Sequence, residues 1–270
     1  MCGICGFTGY RQDQKTVIER MMKAIEHRGP DSKGSFCREK ITLGFRRLSI
    51  IDLEDGQQPM ESADGNLHIV FNGEIYDYKE LRAELEDFGI SFCTHSDTEV
   101  LVNTIQLYGE KALNKLRGMF GFAVWNEKEQ TLMLARDFFG IKPVYYAEID
   151  GHFVFASEIK SILAFPGYER KVNQKALEQY LSFQYSPLEE TFFKGIYKLM
   201  PGHMLLYKNG SYEIKTYFKP KLTPGQWNHK TNMAQLRSQL SEILKDSVKH
   251  HMLSDVEVGA FLSGGVDSGY

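Results

Sequence analysis

The residue with the clearest chemical potential is Cys2, which follows the initiator methionine. A small residue at position 2 generally permits removal of Met1, and that removal would make Cys2 the N-terminal residue. Its thiol, with a reference pKa of about 8.5, would then be able to give its proton to its own α-amine, with a reference pKa of about 7.7–8.0. A thiolate formed in this way is a nucleophile for a carbonyl carbon.

Position alone leaves two other interpretations of Cys2 open. The first is that Cys2 is only a small apolar residue buried in the first strand. A redox or metal pair with Cys5 is the second, although no second CxxC or close histidine pair supplies further ligands. Cys5 itself belongs to the apolar run 4–7, which favours packing.

Asn72-Gly73-Glu74 is a candidate oxyanion-binding segment that directly follows the apolar run 67–71. An asparagine amide and a glycine N–H can together stabilise a negatively charged oxygen, and glycine permits close approach to the backbone. An ordinary Asn-Gly turn explains the same residues.

Two charged residues offer complementary groups for a small charged ligand. Arg47, at the head of a strand-like alternating run, is suited to a bidentate carboxylate contact. Asp97 is suited to an ammonium group, or simply to capping a helix. HRGPD, at 27–31, is interpreted as a turn that stops a helix. A nucleophile, an oxyanion hole, a carboxylate clamp and an ammonium acceptor together fit an amide with an α-carboxylate and an α-ammonium, as in glutamine.

A second candidate site is SGGVDS at 263–268, which follows an apolar run, 256–262, predicted to be a strand. A glycine-rich turn that opens a helix after a strand presents backbone N–H groups to a phosphate. The sequence does not have the lysine of a Walker A loop. A generic serine–glycine turn remains the alternative.

The elements that must position these residues follow from hydrophobic periodicity. Helices are predicted at 16–25, 77–88 and 97–108, and strands at 41–45, 67–71, 119–125, 131–135, 144–149 and 152–156. Asp150-Gly151 and Asn209-Gly210 indicate hairpins. Hairpins favour antiparallel sheets with helices on the outer faces, so the predicted class is layered α+β.

Composition excludes several classes of protein. The 270 residues include 42% hydrophobic residues, which is enough for a full core and argues against global disorder. A formal net charge of −3 argues against nucleic-acid binding by phosphate neutralisation. No apolar run approaches the roughly 18–20 residues of a membrane-spanning helix, and the N-terminus does not resemble a secretion signal. We expect a cytoplasmic protein with no nucleic-acid and no membrane partner.

A polar stretch with two prolines, 219–231, is interpreted as a linker between a first domain, 1–218, and a second unit, 232–270. The second unit starts with a predicted helix at 232–253 and ends two residues after SGGVDS. We therefore expect the chain to be a fragment of a longer protein, cut soon after its second domain begins.

Many motifs, in the same order, resemble the glutaminase domain of glutamine-hydrolysing asparagine synthetases: MCGI, HRGPD, RLSIID, FNGEIYDY, SDTE, GMFGFAVW, ARDFFGIKPVYY, ASEIKSIL, LMPGHMLLY and SGGVDS. The resemblance covers essentially the whole chain. It implies a four-layer αββα N-terminal-nucleophile (Ntn) hydrolase sandwich of two antiparallel sheets. The truncated start of an α/β ATP-pyrophosphatase domain would follow.

The resemblance also implies roles for individual residues. Cys2 would form a γ-glutamyl thioester and release ammonia, while Asn72 and Gly73 hold the oxyanion. The implied glutamine-binding residues are Arg47, Leu48, Ser49, Ile50, Ile51, Asn72, Gly73, Glu74 and Asp97, with Arg47 on the carboxylate and Glu74 and Asp97 on the ammonium. No cofactor and no metal are implied for this half.

In longer family members, the ammonia would amidate aspartate that ATP and Mg²⁺ have activated, giving asparagine, AMP and pyrophosphate. The residues that match the ATP- and pyrophosphate-binding loop are Leu262, Ser263, Gly264, Gly265, Asp267 and Ser268. The 270-residue chain alone is expected to hydrolyse glutamine but not to make asparagine. Homodimers are common in this family.

Four rival functions share parts of the pattern, and two of them are disfavoured. An amidotransferase of the same family could act on another carboxylate, such as a sugar acid or a peptide, since the second domain selects the acceptor. A non-catalytic glutamine-binding module would result if Met1 were retained. Relatives that form β-lactam rings are disfavoured by Cys2, and amidotransferases of purine or hexosamine synthesis are disfavoured by SGGVDS.

Overall fold

The computed structural model describes residues 1–50, 52, 55–221 and 232–269. In these ranges the strands are β1 (Gly3–Thr8), β2 (Ser32–Cys37), β3 (Ile41–Arg47), β4 (Met60–Glu61), β5 (Leu67–Ile75), β6 (Gly118–Asn126), β7 (Thr131–Arg136), β8 (Tyr145–Ile149), β9 (His152–Ala156), β10 (Ile196–Lys198), β11 (His203–Lys208) and β12 (Ser211–Thr216). The helices are α1 (Gln14–Ala24), α2 (Tyr78–Asp87), α3 (Asp97–Tyr108), α4 (Ile159–Leu163), α5 (Gln174–Phe183), α6 (Met233–His251) and α7 (Val266–Gly269). Short 3₁₀ turns cover Glu26–Arg28 and Gly109–Asn114.

Two antiparallel sheets form the centre of the fold. The first has the strand order β10-β8-β9-β1-β3-β2, and the second has the order β12-β11-β7-β6-β5-β4. In the first sheet Gly3 of β1 lies opposite Arg46 of β3, so Cys2 lies beside the end of β3. In the second sheet Asn72 of β5 lies opposite Gly121 of β6.

Three apolar clusters join the sheets and helices into four layers. Between the two sheets, Leu43 of the first packs in one cluster with Val70 of the second. Met21 of α1 belongs to the cluster under the first sheet, and Leu101 of α3 belongs to the cluster under the second. All four side chains are fully removed from water, so apolar burial stabilises every layer contact. The order of helix, sheet, sheet and helix confirms the predicted αββα sandwich.

The helices lie close to their predicted bounds. The face of α1 that packs on the first sheet carries Val17, Ile18, Met21 and Met22, as the helical period predicts. Helix α3 spans the predicted residues, but its cap is Ser96, whose side chain accepts the N–H of Thr98, and not Asp97. Asp77 directly precedes α2, but its side chain does not cap the helix, because its carboxylate accepts the N–H of Arg117.

Strands β5 and β3 differ from prediction at their C-terminal ends. Strand β5 continues to Ile75, so Asn72 and Gly73 lie inside a strand and the turn interpretation is wrong. Arg47 ends β3, and residues 48–50 form no strand, contrary to the strand-like interpretation of that run. Both predicted hairpins are confirmed, and Asp150 and Asn209 adopt the positive φ that tight hairpin turns require.

The C-terminal part of the described chain, 232–269, contains the helices α6 and α7 but no strand. Helix α6 confirms the prediction at 232–253, and the Asn232 side chain caps it. Residues 256–262 form no strand, which corrects the prediction there. A strand needs a neighbour to pair its N–H and C=O groups, and no described strand pairs with this segment. Most of the predicted linker, 222–231, lies outside the described residues.

Candidate active site

A small cavity lies where the start of β1, the end of β3 and the middle of β5 meet. Its volume is about 170 Å³. Pockets for drug-sized ligands typically measure roughly 300–1,000 Å³, so this cavity suits a molecule as small as an amino acid. The predicted glutaminase residues that line it are Cys2, Arg47, Leu48, Ile50, Asn72, Gly73, Glu74 and Asp97. Ser49 does not line it, and Ile51 lies outside the described residues.

The Cys2 thiol lies in the wall of this cavity beside Leu48. The Leu48 N–H donates to Sγ at 3.4 Å. Burial raises the pKa of the Cys2 thiol, while the Leu48 N–H, the N-terminal ammonium and the Arg47 guanidinium act in the opposite direction. Because the raised pKa keeps the thiol protonated near neutral pH, a base is needed to form the thiolate.

The HRGPD segment does more than stop a helix, since Arg28 holds the backbone of the nucleophile. Arg28 Nε donates to the Cys2 carbonyl oxygen at 2.8 Å, and its Nη1 donates to Glu158 Oε1 at 3.0 Å. Although burial alone would raise it, hydrogen bonds from Arg28, Lys160 and His27 lower the pKa of Glu158 to about 2. Glu158 therefore stays ionised and keeps Arg28 in place. Glu158 lies in the motif ASEIKSIL, but the sequence did not indicate its contact with Arg28.

Asn72 brings a hydrogen-bond donor to the cavity. Its side chain is 1% exposed, yet no described residue accepts a hydrogen bond from its Nδ2. A buried donor without a partner costs about 1–3 kcal/mol of free energy. A ligand oxygen bound beside Asn72 would remove this cost.

The backbone of Gly73 supplies a second donor. The N–H groups of Phe71 and Ile75 point to the edge of β5 that faces away from β6. At that edge Gln58 accepts the Phe71 N–H at 2.6 Å, and Asp97 accepts the Ile75 N–H at 3.0 Å. Alternate N–H groups of a strand point the same way, so the Gly73 N–H points to this edge as well. No larger residue fits at 73, because an added Cβ would lie 2.1 Å from a carbonyl oxygen of β6.

Arg47 lies at the other side of the cavity and is 3% exposed. It directly precedes the segment 48–52. Its Nη2 donates to the Asp52 carbonyl oxygen. The Ser49 N–H donates to the Asp31 carboxylate at 2.8 Å, which ties this segment to HRGPD. A planar guanidinium at this position suits a ligand carboxylate.

Glu74 and Asp97 bring two carboxylates to the cavity. Burial raises the pKa of Asp97 to about 7, and the charge of Glu74 acts in the same direction. Burial also raises the pKa of Glu74, while Lys142 opposes the change. A ligand ammonium would stabilise the ionised form of both groups, so this wall of the cavity favours a cation.

Two further polar residues at the cavity were missed by the sequence reasoning. Lys142 is 5% exposed, and burial lowers its pKa. Gln58 accepts the Phe71 N–H and donates its Nε2 to Thr98 Oγ1 at 3.1 Å, so it joins β5 to α3. Each directly precedes a proline in a loop, and Lys142 also lies in the motif ARDFFGIKPVYY, but neither feature indicated a place at the cavity.

The second predicted site has a different character, because none of its residues lines the cavity. The Ser263 and Ser268 hydroxyls contact each other at 2.8 Å. Gly264, with φ of 79°, makes the turn before α7. Leu262, Gly265 and Asp267 are exposed, as are most of their neighbours.

Several features are absent from the part of the chain that the structure describes. No helix there is long and apolar enough to cross a membrane. No three His, Cys, Asp or Glu side chains of the same part lie close enough together to share a metal ion. The cysteines Cys2, Cys5, Cys37 and Cys93 are free thiols.

Two family models match the chain. Residues 1–218 match the model described as a glutamine amidotransferase domain. Residues 239–270 match the model described as asparagine synthase. The first match covers most of the chain, and the second covers only its C-terminal end.

Several curated proteins are similar to this chain. Asparagine synthetase 1 (glutamine-hydrolyzing) of Bacillus subtilis (strain 168) is 45% identical over 276 residues, which cover 99% of this chain and 43% of that protein. Asparagine synthetase 2 of the same organism is 39% identical, with 99% and 38% covered. Amidase chry2 of Gibberella zeae is 35% identical, with 99% and 42% covered. The chain thus spans less than half the length of these relatives.

Two solved structures share the fold. One is the allosteric regulatory enzyme of purine biosynthesis, with a TM-score of 0.64 and 19% identity over 81% of this chain and 50% of that chain. The other is the glutamine phosphoribosylpyrophosphate amidotransferase of B. subtilis, with a TM-score of 0.61, 20% identity and the same coverage. At these identities the similarity establishes the fold alone.

Proposed function

The chain belongs to the family of glutamine amidotransferase domains, and from that premise we propose that its cavity hydrolyses the side-chain amide of glutamine. The observation that carries the proposal is the buried side-chain amide of Asn72, which lies in the same cavity as the Cys2 thiol. No described residue accepts a hydrogen bond from its Nδ2. A nucleophile beside a donor held ready for an oxygen is the arrangement that acyl transfer needs.

Binding of glutamine would use the charged walls of the cavity. The α-carboxylate binds Arg47, and the α-ammonium binds between Glu74 and Asp97. Positioned by both ends, the substrate presents its side-chain amide to Cys2 and its amide oxygen to Asn72. Arg47 lies on the first sheet, Glu74 on the second sheet and Asp97 at the start of α3, so both sheets and this helix must be in place for the site to form.

The protein must first mature by removal of Met1, which is 54% exposed and so accessible to an aminopeptidase. The catalytic cycle then begins at Cys2. The thiol proton of Cys2 passes to the new α-amine, and the thiolate attacks the amide carbon. The Asn72 Nδ2 and the Gly73 N–H stabilise the oxyanion. Collapse breaks the C–N bond, ammonia leaves with the proton from the α-ammonium, and a γ-glutamyl thioester remains. Water, deprotonated by the α-amine, then releases glutamate and restores the thiol.

The ammonia would serve a second reaction in the longer protein, amidation of aspartate to asparagine. The match of residues 239–270 to the asparagine synthase model supports this part of the proposal. ATP with Mg²⁺ would bind Leu262, Ser263, Gly264, Gly265, Asp267 and Ser268. The loop suits a pyrophosphate because two hydroxyls and a glycine turn gather there, and the nucleotide, when bound, would activate the acceptor carboxylate. A homodimer and a cytoplasmic location also remain proposals that rest on the resemblance.

A different acceptor is the second candidate function. Amidase chry2 is 35% identical over 99% of this chain, as is asparagine synthetase 3 of Bacillus subtilis, so similarity to this chain does not by itself identify the acceptor. Ammonia transfer to another carboxylate would use the same Cys2 chemistry. The acceptor assay below distinguishes the two candidates.

The proposal is tested by ammonia release from glutamine, with the N-terminal mass measured on the same purified sample. We expect stoichiometric ammonia and glutamate from protein whose mass shows Met1 removed. With aspartate, ATP and Mg²⁺ added, the complete protein should form asparagine, whereas the 270-residue chain should not.

Three results would each count against a part of the proposal. Processed protein that binds glutamine without releasing ammonia would be the non-catalytic binding module. Release of ammonia without asparagine from the complete protein would keep the glutaminase and replace aspartate by another carboxylate acceptor. Unprocessed, inactive protein should gain activity after treatment with a methionine aminopeptidase, and failure to do so would contradict the role of the α-amine.

A further inference from the structure

The residues at the end of α6 and just after it lie against the first domain through a series of contacts. Asp246 Oδ2 accepts Arg117 Nη2 at 2.5 Å. The rings of His251 and Tyr76 have centroids 4.5 Å apart. Leu253 packs against the apolar cluster under the second sheet. These contacts bring the start of the second domain to the surface beside the cavity.

The last contact of this series is made by Asp255, and it reaches the wall of the cavity. The Asp52 N–H donates to Asp255 Oδ2 at 2.8 Å. The Asp255 N–H in turn donates to the Ile50 carbonyl oxygen at 3.1 Å. Asp255 is therefore hydrogen-bonded to both Ile50 and Asp52. Ile50 lines the cavity.

Asp52 connects Asp255 to the carboxylate-binding side of the cavity. Its φ of 51° is in the left-handed region, which aspartate tolerates better than most residues. In this conformation its carbonyl oxygen accepts Arg47 Nη2, while its own N–H faces Asp255. Its carboxylate accepts the His95 N–H at 2.9 Å, two residues before Asp97. Asp52 is thus hydrogen-bonded to Arg47, to the segment that leads to Asp97, and to the second domain.

We propose that Asp255 is a positioning residue for the glutamine cavity, through which the second domain sets the orientation of Arg47. Asp255 touches no substrate; it fixes the Asp52 peptide, and the Asp52 carbonyl fixes the guanidinium that binds the α-carboxylate. The contact of Asp255 with Asp52 then strengthens glutamine binding, and loss of that contact weakens it. The inference rests on the proposed function, since it needs a ligand carboxylate at Arg47.

The expected effect is on binding and not on chemistry. A hydrogen bond to a charged acceptor contributes measurably, but Asp255 is exposed, so we expect Asp255→Ala to raise the KM for glutamine by about three- to tenfold. The kcat should stay within about twofold, because the hydrogen bonds of Asp255 go to Ile50 and Asp52 and not to Cys2, Asn72 or Gly73. Asp255→Asn keeps an oxygen acceptor for the Asp52 N–H and should restore much of the affinity.

The test measures KM and kcat for glutamine in the intact protein and in Asp255→Ala and Asp255→Asn. Asp246→Ala is the matched control, because it removes another exposed carboxylate of the same segment, one that contacts Arg117 and not the Asp52 segment. The rate of Cys2 alkylation by iodoacetamide, which has no α-carboxylate, is measured in each variant. We expect a raised KM in Asp255→Ala alone and the same alkylation rate in all of the proteins.

Each contrary outcome overturns a definite part of the account. An active parent protein with an unchanged KM in Asp255→Ala would overturn the inference and leave the glutaminase proposal intact. An equal rise in KM in Asp255→Ala and Asp246→Ala, or a changed alkylation rate, would show general loosening of the segment and would also overturn it. No ammonia release from the processed parent protein would reject the proposed function and this inference with it.

Discussion

The cavity around Cys2 and the loop at 263–268 carry motifs of similar length, but the structure treats them differently. The cavity gathers buried groups from both sheets and from positions as distant in sequence as 2 and 97. The loop is one continuous and mostly exposed segment whose hydroxyls contact each other. Among the described residues, the first region is therefore built from both sheets, whereas the second makes its hydrogen bonds within one run of consecutive residues.

This difference has chemical consequences. Burial in the cavity raises the pKa of the Cys2 thiol and of the Asp97 carboxyl, and it leaves the Asn72 amide without a partner among the described residues. A site of this kind is arranged for a ligand that supplies an oxygen and a positive charge. Substitutions in the cavity should therefore change glutaminase activity strongly, and substitutions in the loop should not.

The largest expected effect is that of Cys2→Ala. Loss of the nucleophile should reduce ammonia release at least about a thousandfold, while the melting temperature stays close to that of the parent. Cys93→Ala, which removes an exposed thiol, is the control and should keep full activity. Residual activity above a few per cent in Cys2→Ala, measured by coupled ammonia assay, would remove Cys2 from the mechanism.

Asn72→Ala should have the next largest effect. Removal of one oxyanion donor typically costs about 10²–10³ in kcat, because the stabilisation applies only when the oxygen is charged. The KM for glutamine should change much less than kcat. Steady-state kinetics separate the two, and a variant with a raised KM and an unchanged kcat would show that Asn72 only binds substrate.

The raised pKa of Asp97, about 7, predicts a pH dependence of glutamine binding. Above pH 7 the carboxylate is ionised and attracts the ligand ammonium, and below pH 7 protonation removes that charge. The Kd should therefore rise about tenfold from pH 8 to pH 6. Calorimetry on Cys2→Ala protein measures this without turnover. In Asp97→Asn we expect weaker binding that no longer varies over this range; a constant Kd in protein with intact Asp97 would contradict its assignment.

The smallest effect is expected for Ser263→Ala in the exposed loop. Exposed substitutions usually change stability by no more than about 0.5 kcal/mol, and Ser263 does not line the cavity. Glutaminase kcat and KM should stay within about twofold of the parent values. A tenfold loss of glutaminase activity would mean that the two regions are not as independent as their structures indicate.

Much of the fold could be predicted because local patterns agree with the packing. The stripe of α1 and the bounds of α3 follow the helical period, and Asp150-Gly151 and Asn209-Gly210 mark hairpins through their positive φ. The end of β5 could not be predicted, because Asn72 and Gly73 are typical turn residues. Pairing with β6 and acceptance of the Ile75 N–H by Asp97 keep that segment extended.

The nucleophile and the substrate-binding residues could be proposed from motif and resemblance, but their supports could not. Arg28 and Glu158 lie in HRGPD and ASEIKSIL, and Asp255 lies in the run LSDV, but these motifs gave none of the three a role, and Gln58 was only a polar residue in a loop. Their roles depend on contacts between residues far apart in the chain, such as Arg28 with Glu158 at 3.0 Å. The strand predicted at 256–262 failed for the opposite reason, since no described strand pairs with it.

The central claim is that Cys2 carries the glutamyl group during turnover. The most direct measurement is peptide mass spectrometry on processed protein quenched with acid while it hydrolyses glutamine. The account predicts the mass of one γ-glutamyl group, joined as a thioester, on the N-terminal peptide that contains Cys2, and its absence from Cys2→Ala. Ammonia release at full rate with no such adduct, or with the adduct on another residue, would contradict the account.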